Sequence, residues 1–592
     1  MCGIVGYIGK NTEKVLLDNL KKLEYRGYDS AGIAVKSKSG VEIFKAKGEI
    51  SKLEKIVTSN PLSTHGIGHT RWATHGSPDE INAHPHASSD GVWTIVHNGI
   101  IENYNSIKDN LIKKGYSFYS ETDTETVAKL LEFYYEGNTL SAVQKTCLLI
   151  QGSYALCVLN KEKDGIYFAK NKSPLYLAKN GTEIMIASDV ICFSGFSNEY
   201  YPLPDGAYGY ADFNGVEFFD NLGKIDIQPI KSEFIQTDTQ HNYKHFMIKE
   251  IFETKLAVKN ILEYYSENFD FNKLNDLDFN SVNKIKLIGC GTAYHACLMG
   301  ALMFEKTLDV ECSAVVASEF RYSNPKIDKN TLVVLISQSG ETADTLAGFE
   351  LAKEKGAFTI AIVNVEYSTL AKKADLYLPI KAGVEIAVAS TKAYSAQLVV
   401  LNILSKMLLE KSGKGEFNLD EVQTLYDNFD YGNINDYKLL SDVLSHNDKL
   451  FMIGRGADYS TALEASLKIK ETSYINCDTY FAGELKHGFL ALIVPNTYVI
   501  AFACDESVLV KTISNAEEAR ARGAKTILFT CCDVQDSLVQ NFHYVIKVKN
   551  IKNTLQSVMN IIPWQIIAYY TSVNKGINPD KPRNLAKSVT VE

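Results

Sequence analysis

A repeated pattern in the second half of the chain constrains its fold more than any other feature of the sequence. The segment 287–294, Leu-Ile-Gly-Cys-Gly-Thr-Ala-Tyr, matches 452–459, Met-Ile-Gly-Arg-Gly-Ala-Asp-Tyr, about 165 residues later. Two more pairs of segments match in the same order: 330–336 with 496–502, and 356–360 with 523–527. Ordered matches at a nearly constant offset indicate two copies of one fold. Because strands, glycine-containing turns and helices alternate in each copy, we expect two mainly parallel sheets covered by helices on both faces.

The two copies differ at the end of their second strand. The first copy reads Ser-Gln-Ser-Gly-Glu-Thr at 337–342 and continues with a helical pattern to about Lys355. Hydroxyl and backbone N–H groups at a helix N-terminus suit a phosphate, although an ordinary helix N-cap would also explain these residues. The second copy reads Ala-Cys-Asp-Glu-Ser at 503–507, and its two carboxylates would repel a phosphate. We therefore expect one phosphorylated ligand per chain, bound mainly by the first copy.

The second copy carries ionisable side chains in two further arrangements. Glu464, Lys468 and Glu471 recur at helical spacing, and on spacing alone a salt-bridged helix face explains them best. The segment 483–488, Gly-Glu-Leu-Lys-His-Gly, places His487 beside an acid and a base. Because histidine titrates near neutral pH, this loop is a candidate acid–base site.

Up to about residue 240 the pattern consists mostly of short β-rich runs. The predicted strands are 32–35, 66–70, 93–96, 154–159 and 183–187, and the predicted helices are 14–23 and 125–135. At the start of this region, removal of Met1 would leave the Cys2 thiol beside a free α-amine. An α-amine titrates near about 8, so it can take the proton of the thiol and make Cys2 a nucleophile with its own general base. A buried structural cysteine is the alternative.

Polar clusters interrupt these strands and suit an amino-acid substrate. Arg71 can bind an α-carboxylate through two hydrogen bonds, and Asp123 can bind an α-ammonium. The Asn98 side chain and the Gly99 N–H can stabilise the oxyanion formed at the side-chain carbonyl. The alternatives are a hairpin turn at Asn98-Gly99, a helix N-terminus at 120–123, and ordinary surface charges at Arg71 and Asp123.

Length and composition limit the class of protein. A chain of 592 residues is too long for one hydrophobic core and predicts three or four domains. The net charge of −9 argues against nucleic-acid binding, and apolar runs are too short to cross a membrane. The 11 cysteines form no CxxC pair and the N-terminus lacks a secretory pattern, so we expect a cytoplasmic protein. We expect no metal site in the histidine cluster, because no second ligand set at zinc-like spacing accompanies it: His65, His69, His75, His84 and His86.

Four N-terminal motifs resemble the class II glutamine amidotransferases: 2–6, 25–32, 69–76 and 97–99. This resemblance implies an N-terminal-nucleophile hydrolase fold, an αββα sandwich of two sheets between helix layers. It also implies that Cys2 attacks the amide of L-glutamine, forms a thioester and releases ammonia, with Asn98 and Gly99 as further catalytic residues. The glutamine-binding residues that it implies are Arg26, Arg71, Trp72, His75 and Asp123.

Segments 337–342, 389–393, 484–488 and 582–592 resemble the SIS (sugar isomerase) half of the glucosamine-6-phosphate synthase family, and the resemblance covers the whole chain. It implies that L-glutamine and D-fructose 6-phosphate give D-glucosamine 6-phosphate and L-glutamate, without a metal or organic cofactor. It assigns ring opening to His487, proton transfer between C1 and C2 to Glu471, and imine formation with the ketose to Lys587. The sugar-phosphate-binding residues that it implies are Thr292, Ser337, Gln338, Ser339, Thr342, Val388, Ser390, Lys468 and Ala586.

The same resemblance implies a homodimer in which His487 comes from the neighbouring subunit, and an ammonia channel gated by Trp72. Phe489 departs from the family, which usually has proline after Lys-His-Gly, and this puts the rigidity of the loop in doubt. The expected fold class is α/β and α+β: an αββα glutaminase domain (1–240), two doubly wound SIS domains (241–430 and 431–577) and a catalytic tail (578–592).

The C-terminal tail is expected to be ordered. A proline-punctuated terminus is disordered by default, but we expect Leu585 and Val589 to pack this one against the rest of the protein, with help from Arg583 and the Glu592 carboxylate.

Three rival functions are considered. Another class II amidotransferase would need a pyrophosphate-binding acidic loop or an SGGxDS nucleotide loop, and the sequence has neither. A sugar-phosphate-sensing SIS protein would not need Cys2. The third rival is a deglycase or isomerase that runs the sugar chemistry in reverse.

Overall fold

The computed structural model describes residues 2–38, 40–58, 63–72, 75–231 and 242–589. By its internal contacts the chain divides into two compact units, residues 1–240 with 588–591 and residues 241–587 with 592. The predicted domain boundary at 240/241 falls at residues outside the described ranges. The boundaries at 430/431 and 577/578 stay predictions.

The first unit contains two antiparallel sheets. The eight-stranded sheet has the spatial order Ile230–Lys231, Glu199–Pro202, Tyr176–Asn180, Glu183–Ala187, Gly3–Ile8, His65–Arg71, Ser30–Ser37 and Gly40–Lys47. The seven-stranded sheet has the order Gly223–Ile225, Gly215–Asp220, Tyr208–Asp212, Ile166–Asn171, Gly152–Asn160, Trp93–Ile101 and His86–Ala87. All five strands predicted from short β-rich runs lie within these strands and are confirmed.

Helices cover the outer faces of both sheets. Thr12–Leu23 packs against the strands Gly3–Ile8 and His65–Arg71, while Thr124–Tyr134 packs against Trp93–Ile101 of the other sheet. The further helices are Ile50–Glu54, Tyr104–Lys113 and Thr139–Leu149, with 3-10 turns at Glu24–Arg26, Glu80–Asn82 and Val190–Phe193. One apolar cluster lies between the two sheets, and a second joins the seven-stranded sheet to its helices. The layers therefore follow the predicted αββα order.

The second unit contains two five-stranded parallel sheets with the same strand order. The first runs Glu311–Val316, Lys284–Gly289, Thr331–Ser337, Phe358–Val363 and Leu376–Pro379. The second runs Asn476–Phe481, Lys449–Gly454, Tyr498–Phe502, Lys525–Thr530 and Tyr544–Lys547. Gly291 and Gly456 occupy equivalent turns with φ of +52° and +53°. The two copies predicted from the sequence repeat are therefore confirmed.

Helices surround both sheets and share one apolar core. The α-helices of this unit are Phe246–Phe252, Thr254–Glu263, Thr292–Thr307, Ala317–Phe320, Ala343–Glu354, Thr369–Lys373, Lys392–Lys411, Asp420–Asn428, Ile434–Ser445, Ala457–Ser473, Leu509–Arg520, Asp536–Val539 and Gln556–Asn574. A π-helix at Tyr264–Asn268 and 3-10 turns at Phe271–Leu274, Phe279–Ser281, Ala482–His487 and Phe489–Leu492 complete it.

Candidate active sites

Cys2 directly precedes the strand Gly3–Ile8, whose neighbour His65–Arg71 leads into Trp72. The Cys2 Sγ atom lies 3.2 Å from the backbone nitrogen of Trp72 and 3.5 Å from its carbonyl oxygen. Burial raises the pKa of the thiol, although the Trp72 hydrogen bond and the Arg71 charge oppose the rise. A thiol in this environment needs a base before it can attack. The predicted use of its own α-amine supplies one.

The Asn98 side chain presents its donor end to Cys2. Its Nδ2 donates to the Cys2 carbonyl oxygen at 3.0 Å, and its Oδ1 lies 3.1 Å from Nε2 of His69. His69 Nε2 also lies 2.9 Å from the carbonyl oxygen of His97. Because both neighbours of this nitrogen are acceptors, His69 carries its proton on Nε2 and determines which end of the Asn98 amide faces Cys2. Burial lowers the pKa of His69 to about 3, so the imidazole stays neutral.

Asn98 and Gly99 lie within the strand Trp93–Ile101, which pairs along its length with Gly152–Asn160. The hairpin-turn interpretation is therefore wrong. Gly99 has φ of +124°, and a Cβ atom there would lie 2.0 Å from the carbonyl oxygen of Ser153. Glycine is required at this point because neither the backbone conformation nor the space admits a side chain.

Arg71 and Asp123 are 3% and 4% exposed, so the surface-charge interpretation is wrong for both. The Arg71 guanidinium donates to backbone carbonyls of the loop 75–77 and holds that loop in place. Asp123 is the N-cap residue of the helix Thr124–Tyr134, so the helix N-terminus expected as an alternative at 120–123 does exist. One Asp123 oxygen accepts from the N–H of Ile101 at 2.8 Å. Both predicted substrate-binding charges are thus buried and hydrogen-bonded to backbone groups.

The remaining predicted glutamine-binding side chains have partners within the first unit. These partners are the Asp189 carboxylate for Arg26, the Tyr28 ring at 6.2 Å for Trp72, and the Tyr104 ring at 5.2 Å for His75. Two residues of the same motif, Ala73 and Thr74, lie outside the described ranges. The roles of these side chains toward glutamine stay predictions.

The candidate phosphate loop lies between the strand Thr331–Ser337 and the helix Ala343–Glu354. Ser337 Oγ lies 3.1 Å from Thr342 Oγ1 and accepts from the N–H of Gly340 at 3.0 Å. Within the described part of the chain, Thr342 precedes the helix without a side-chain capping hydrogen bond. An ordinary N-cap therefore does not account for its hydroxyl. The loop brings hydroxyls and a helix N-terminus to one point, which suits a phosphate.

In the second copy, a carboxylate of the chain itself occupies the equivalent strand end. Asp458 Oδ2 accepts from the backbone N–H groups of Cys504 and Asp505, at 2.8 and 3.1 Å. Asp458 corresponds in the repeat to Ala293 of the first copy. Burial raises the pKa of Asp458 to about 6. These contacts support the expectation that the phosphorylated ligand binds mainly to the first copy.

Lys468 joins the two copies through a buried ionic cluster. Its Nζ donates to Thr292 Oγ1 at 3.0 Å, lies 3.2 Å from Glu464 and forms a close ion pair with Glu471. The salt-bridged helix face expected on Ala457–Ser473 is therefore correct, but Lys468 and Glu464 are 0% exposed rather than on the surface. Burial alone would lower the pKa of Lys468, but the two carboxylates outweigh it and raise that pKa. Burial also raises the pKa of Glu471, although the Lys468 ammonium opposes the rise.

Lys587 is held by a residue that sequence reasoning missed. Its ammonium pairs with the Glu385 carboxylate, and the two side chains are 3% and 0% exposed. Glu385 also accepts from Ser390 Oγ at 2.9 Å and from the N–H groups of Thr391 and Ala393 at 2.9 and 3.1 Å. Burial alone would raise the pKa of Glu385, but Lys587 and these donors outweigh it and lower that pKa. The only sequence signal for Glu385 was that a buried lysine needs a counter-charge.

The C-terminal tail is ordered by contacts at its backbone. The N–H of Val388 donates to the carbonyl oxygen of Asp580 at 3.1 Å, and the N–H of Arg583 donates to the Tyr474 hydroxyl at 2.6 Å. The Arg583 guanidinium also lies over the Tyr474 ring at 4.3 Å. The default expectation of disorder is therefore wrong for the described residues 578–589.

Several predicted residues differ from expectation in their surroundings. Val589 is 53% exposed, so its predicted packing is wrong, whereas Leu585 and Ala586 are half-buried. Glu592, expected to help hold the tail, lies outside the described ranges. His487 ends the 3-10 turn Ala482–His487 with an exposed side chain, in contrast to the largely buried Glu471 and Lys587. The other predicted sugar-site residues are the half-buried Gln338 and Ser339 and the buried Val388.

Two global features bear on cofactors and membranes. The described residues contain no group of three or more His, Cys, Asp or Glu side chains that could hold a metal ion, although the rings of His69 and His84 stack at 4.1 Å. Over the same ranges, no helix has the length and apolar character that a membrane span requires.

Comparisons with known proteins agree with both halves of this description. A glutamine amidotransferase domain matches residues 69–194, and SIS domains match 278–407 and 443–575. The glutamine–fructose-6-phosphate aminotransferases (isomerizing) of Caldanaerobacter subterraneus and Clostridium tetani are 43% and 42% identical, over 100% of both chains in each case. The solved C-terminal domain of glucosamine-fructose-6-phosphate aminotransferase from Francisella tularensis is 32% identical, with a TM-score of 0.53. It covers 58% of this chain and 99% of its own.

Proposed function

This chain belongs to the glutamine–fructose-6-phosphate aminotransferase (isomerizing) family, and from that premise we propose that it converts L-glutamine and D-fructose 6-phosphate into L-glutamate and D-glucosamine 6-phosphate. The observation that carries the proposal is the state of Lys587, a tail lysine that is 3% exposed and paired with Glu385. A lysine that forms an imine must be shielded from water and near a group that controls its proton. A ligand-sensing SIS protein would have no need of such a lysine or of Cys2.

We infer that glutamine hydrolysis uses the groups around Cys2. The α-amine freed by removal of Met1 takes the thiol proton, and Sγ attacks the side-chain amide of glutamine. The Asn98 amide, held by His69, and the Gly99 N–H stabilise the oxyanion. Arg71 and Asp123 bind the α-carboxylate and α-ammonium of the substrate. Ammonia leaves as the thioester forms on Cys2, and water then hydrolyses the thioester to glutamate.

In the second unit, the loop Ser337–Thr342 binds the phosphate and Lys587 forms the imine with the ketose. Ammonia from glutamine then displaces the Lys587 amine at C2. Glu471, with its raised pKa, moves the proton between C1 and C2. We propose a cytoplasmic homodimer in which the partner subunit supplies His487 for ring opening, and the exposure of His487 supports this arrangement. The four predicted segments 1–240, 241–430, 431–577 and 578–592 would then correspond to glutamine hydrolysis, phosphate binding, proton transfer and imine formation.

The test combines assays for glutamate and hexosamine with three variants. Cys2→Ala should abolish glutamate release and leave sugar-phosphate binding intact. Ser339→Ala with Thr342→Ala should weaken fructose 6-phosphate binding by at least about tenfold, because two hydrogen bonds to a charged group are lost, and should barely affect glutamine hydrolysis. Lys587→Arg should abolish hexosamine formation while slow glutamine hydrolysis survives.

The same assays separate the rivals. When an ammonium salt is added, hexosamine formation without glutamine consumption would indicate a reverse-running deglycase. Glutamate release without hexosamine would indicate another amidotransferase. Borohydride reduction with fructose 6-phosphate should trap an adduct on Lys587. An adduct on Lys468 instead, or full turnover by Lys587→Arg, would contradict the proposal.

A further inference from the structure

Glu250 is a buried carboxyl group beside the Lys587–Glu385 pair that the proposed reaction leaves without a role. It lies in the helix Phe246–Phe252 and is 2% exposed. Its Oε1 accepts from the backbone N–H groups of residues 386 and 387, at 2.5 and 3.3 Å, immediately after Glu385. Its other oxygen, Oε2, is buried and has no hydrogen-bond partner among the described residues. A carboxylate in this position would be half unsolvated, which is costly.

The charges around Glu250 leave no counter-charge for it. The charged groups that face it are Glu385, Lys587 and Lys392. Both lysines already have partners, since Lys587 pairs with Glu385 and Lys392 pairs with Glu253 at 2.8 Å. Burial, reinforced by the charge of Glu385, raises the pKa of Glu250 to about 8, so the uncharged acid predominates at neutral pH.

Further titratable groups lie at the N-terminal end of the Glu250 helix. The Asp580 carboxylate accepts from the N–H groups of residues 246 and 247, and the Tyr569 hydroxyl bonds to His245. These groups have their own hydrogen-bond partners. Neither an aspartate nor a tyrosine can carry a positive charge, and burial lowers the pKa of His245, so these groups do not supply the counter-charge that an ionised Glu250 would need.

Imine formation connects this charge balance to the reaction. The ammonium of Lys587 must lose a proton before its lone pair can add to the C2 carbonyl. In the complete step, the carbonyl oxygen leaves as water with two of the three ammonium protons, and the third stays on the iminium nitrogen. Glu385, as a stabilised anion, opposes the initial proton loss. A second anion beside it would oppose that loss further.

We propose that Glu250 is a positioning residue that keeps the Lys587–Glu385 pair electrically neutral, and that its ionisation holds Lys587 as the unreactive ammonium. This inference rests on the proposed role of Lys587 as the imine-forming residue. If the Glu250 and Lys587 side chains together lose one proton, that proton can come from either of them, and two protonation states of the pair result. The acid with a free amine reacts, whereas the carboxylate with an ammonium does not. Glutamine at position 250 removes the second form and keeps an acceptor for the N–H groups of residues 386 and 387.

The experiment measures the rate at which cyanoborohydride traps fructose 6-phosphate on Lys587 between pH 6.5 and 9.5, in the full-length protein. The ratio of variant to wild-type rate at each pH cancels the pH dependence of the reductant. Glu250→Gln should match the wild-type rate at pH 6.5 and exceed it at least about fivefold at pH 9, because the wild-type protein then carries the extra anion. Glu250→Ala is a second uncharged variant, for use if the glutamine variant does not fold.

Two controls make the result specific. Glu250→Asp keeps an ionisable group and should follow the wild-type profile more closely than Glu250→Gln does. Glu253→Gln removes a nearby carboxylate that pairs with Lys392 and should not accelerate trapping at pH 9. Profiles of Glu250→Gln and wild type that coincide, or a variant slower at every pH, would overturn the inference. Failure of the wild-type protein to trap the sugar on Lys587 would instead refute the proposed function.

Discussion

Replacing Glu385 with glutamine should loosen the start of the long helix Lys392–Lys411 as well as the reactive lysine. Glu385 holds the Lys587 ammonium and also accepts from the N–H groups of Thr391 and Ala393, where this helix begins. Glutamine has nearly the same shape but no charge. The substitution therefore leaves the Lys587 ammonium, 3% exposed, without its ion partner and replaces charge-assisted hydrogen bonds with ordinary ones.

The magnitude follows from the burial of the pair. Removing one partner of a buried ion pair costs about 3–5 kcal/mol, because the remaining charge is left uncompensated. Glu250 faces the same cluster and would become easier to ionise once Glu385 is neutral, so we expect the lower end of that range. Each factor of ten corresponds to about 1.4 kcal/mol, and amide exchange in Lys392–Lys411 should therefore accelerate by about a hundredfold or more.

The assay is hydrogen–deuterium exchange of peptides from Lys392–Lys411 and from the tail at pH 7, followed by mass spectrometry. A double-mutant cycle with Lys587→Met supplies the control, since Glu385→Gln/Lys587→Met leaves neither member of the ion pair. The double variant should be more protected than the sum of the single losses predicts. Because the pKa of Glu385 is lowered in the folded protein, its stabilisation is present above its unfolded value of about 4.3 and is lost at lower pH. Unchanged exchange in Glu385→Gln at pH 7, or strictly additive losses, would refute the reasoning.

Two further predictions concern groups outside the Lys587 cluster. His69→Ala should leave the Asn98 amide free to rotate and lower kcat for glutamate release by about tenfold or more, with little change in the KM for glutamine. His69→Gln, which keeps a donor, should recover part of the loss, and an effect on KM alone would contradict a positioning role. Because the pKa of Asp458 is raised to about 6 in the folded protein, its protonated form adds up to about 3 kcal/mol to the free energy of unfolding below about pH 4. This stabilisation is lost as the pH rises through about 6. Asp458→Asn should remove that pH dependence from the thermal midpoint, and the same slope in wild type and variant would contradict it.

The fold could be predicted from the sequence largely because its signals are local and repeated. The strand predicted at 183–187 coincides with Glu183–Ala187, and the helix predicted at 14–23 lies within Thr12–Leu23. The repeat indicated two parallel sheets because the glycine-containing turn at Gly291 recurs in the sequence at Gly456, and the structure gives both turns the same conformation. Hydrophobic period and turn chemistry depend on neighbours in sequence, so a single sequence contains enough information to predict them.

The supporting residues of the sites could not be predicted because their partners are distant in sequence. Glu385 and Lys587 are separated by 202 positions, and no spacing rule connects them. Glu250 lies 136 positions from the peptide that it binds at residue 386. The prediction that Val589 packs against the protein was wrong because the sequence does not show the course of the backbone. An apolar residue near a chain end indicates packing only when the course of the backbone is known, and in this tail backbone contacts at Asp580 and Arg583 provide the attachment.

The electrostatics of the two buried lysines explain why Lys587 rather than Lys468 should form the imine. Lys468 has carboxylates on two sides, Glu464 and Glu471, and together they raise its pKa despite burial. An ammonium held by two carboxylates gives up its proton reluctantly, so we expect Lys468 to stay charged and to hold Thr292 in place. Lys587 pairs with Glu385, and the other two carboxyl groups that interact with it, Glu250 and Glu471, both have raised pKa values. We therefore expect Lys468, paired with two carboxylates, to bind and Lys587, paired with one, to react.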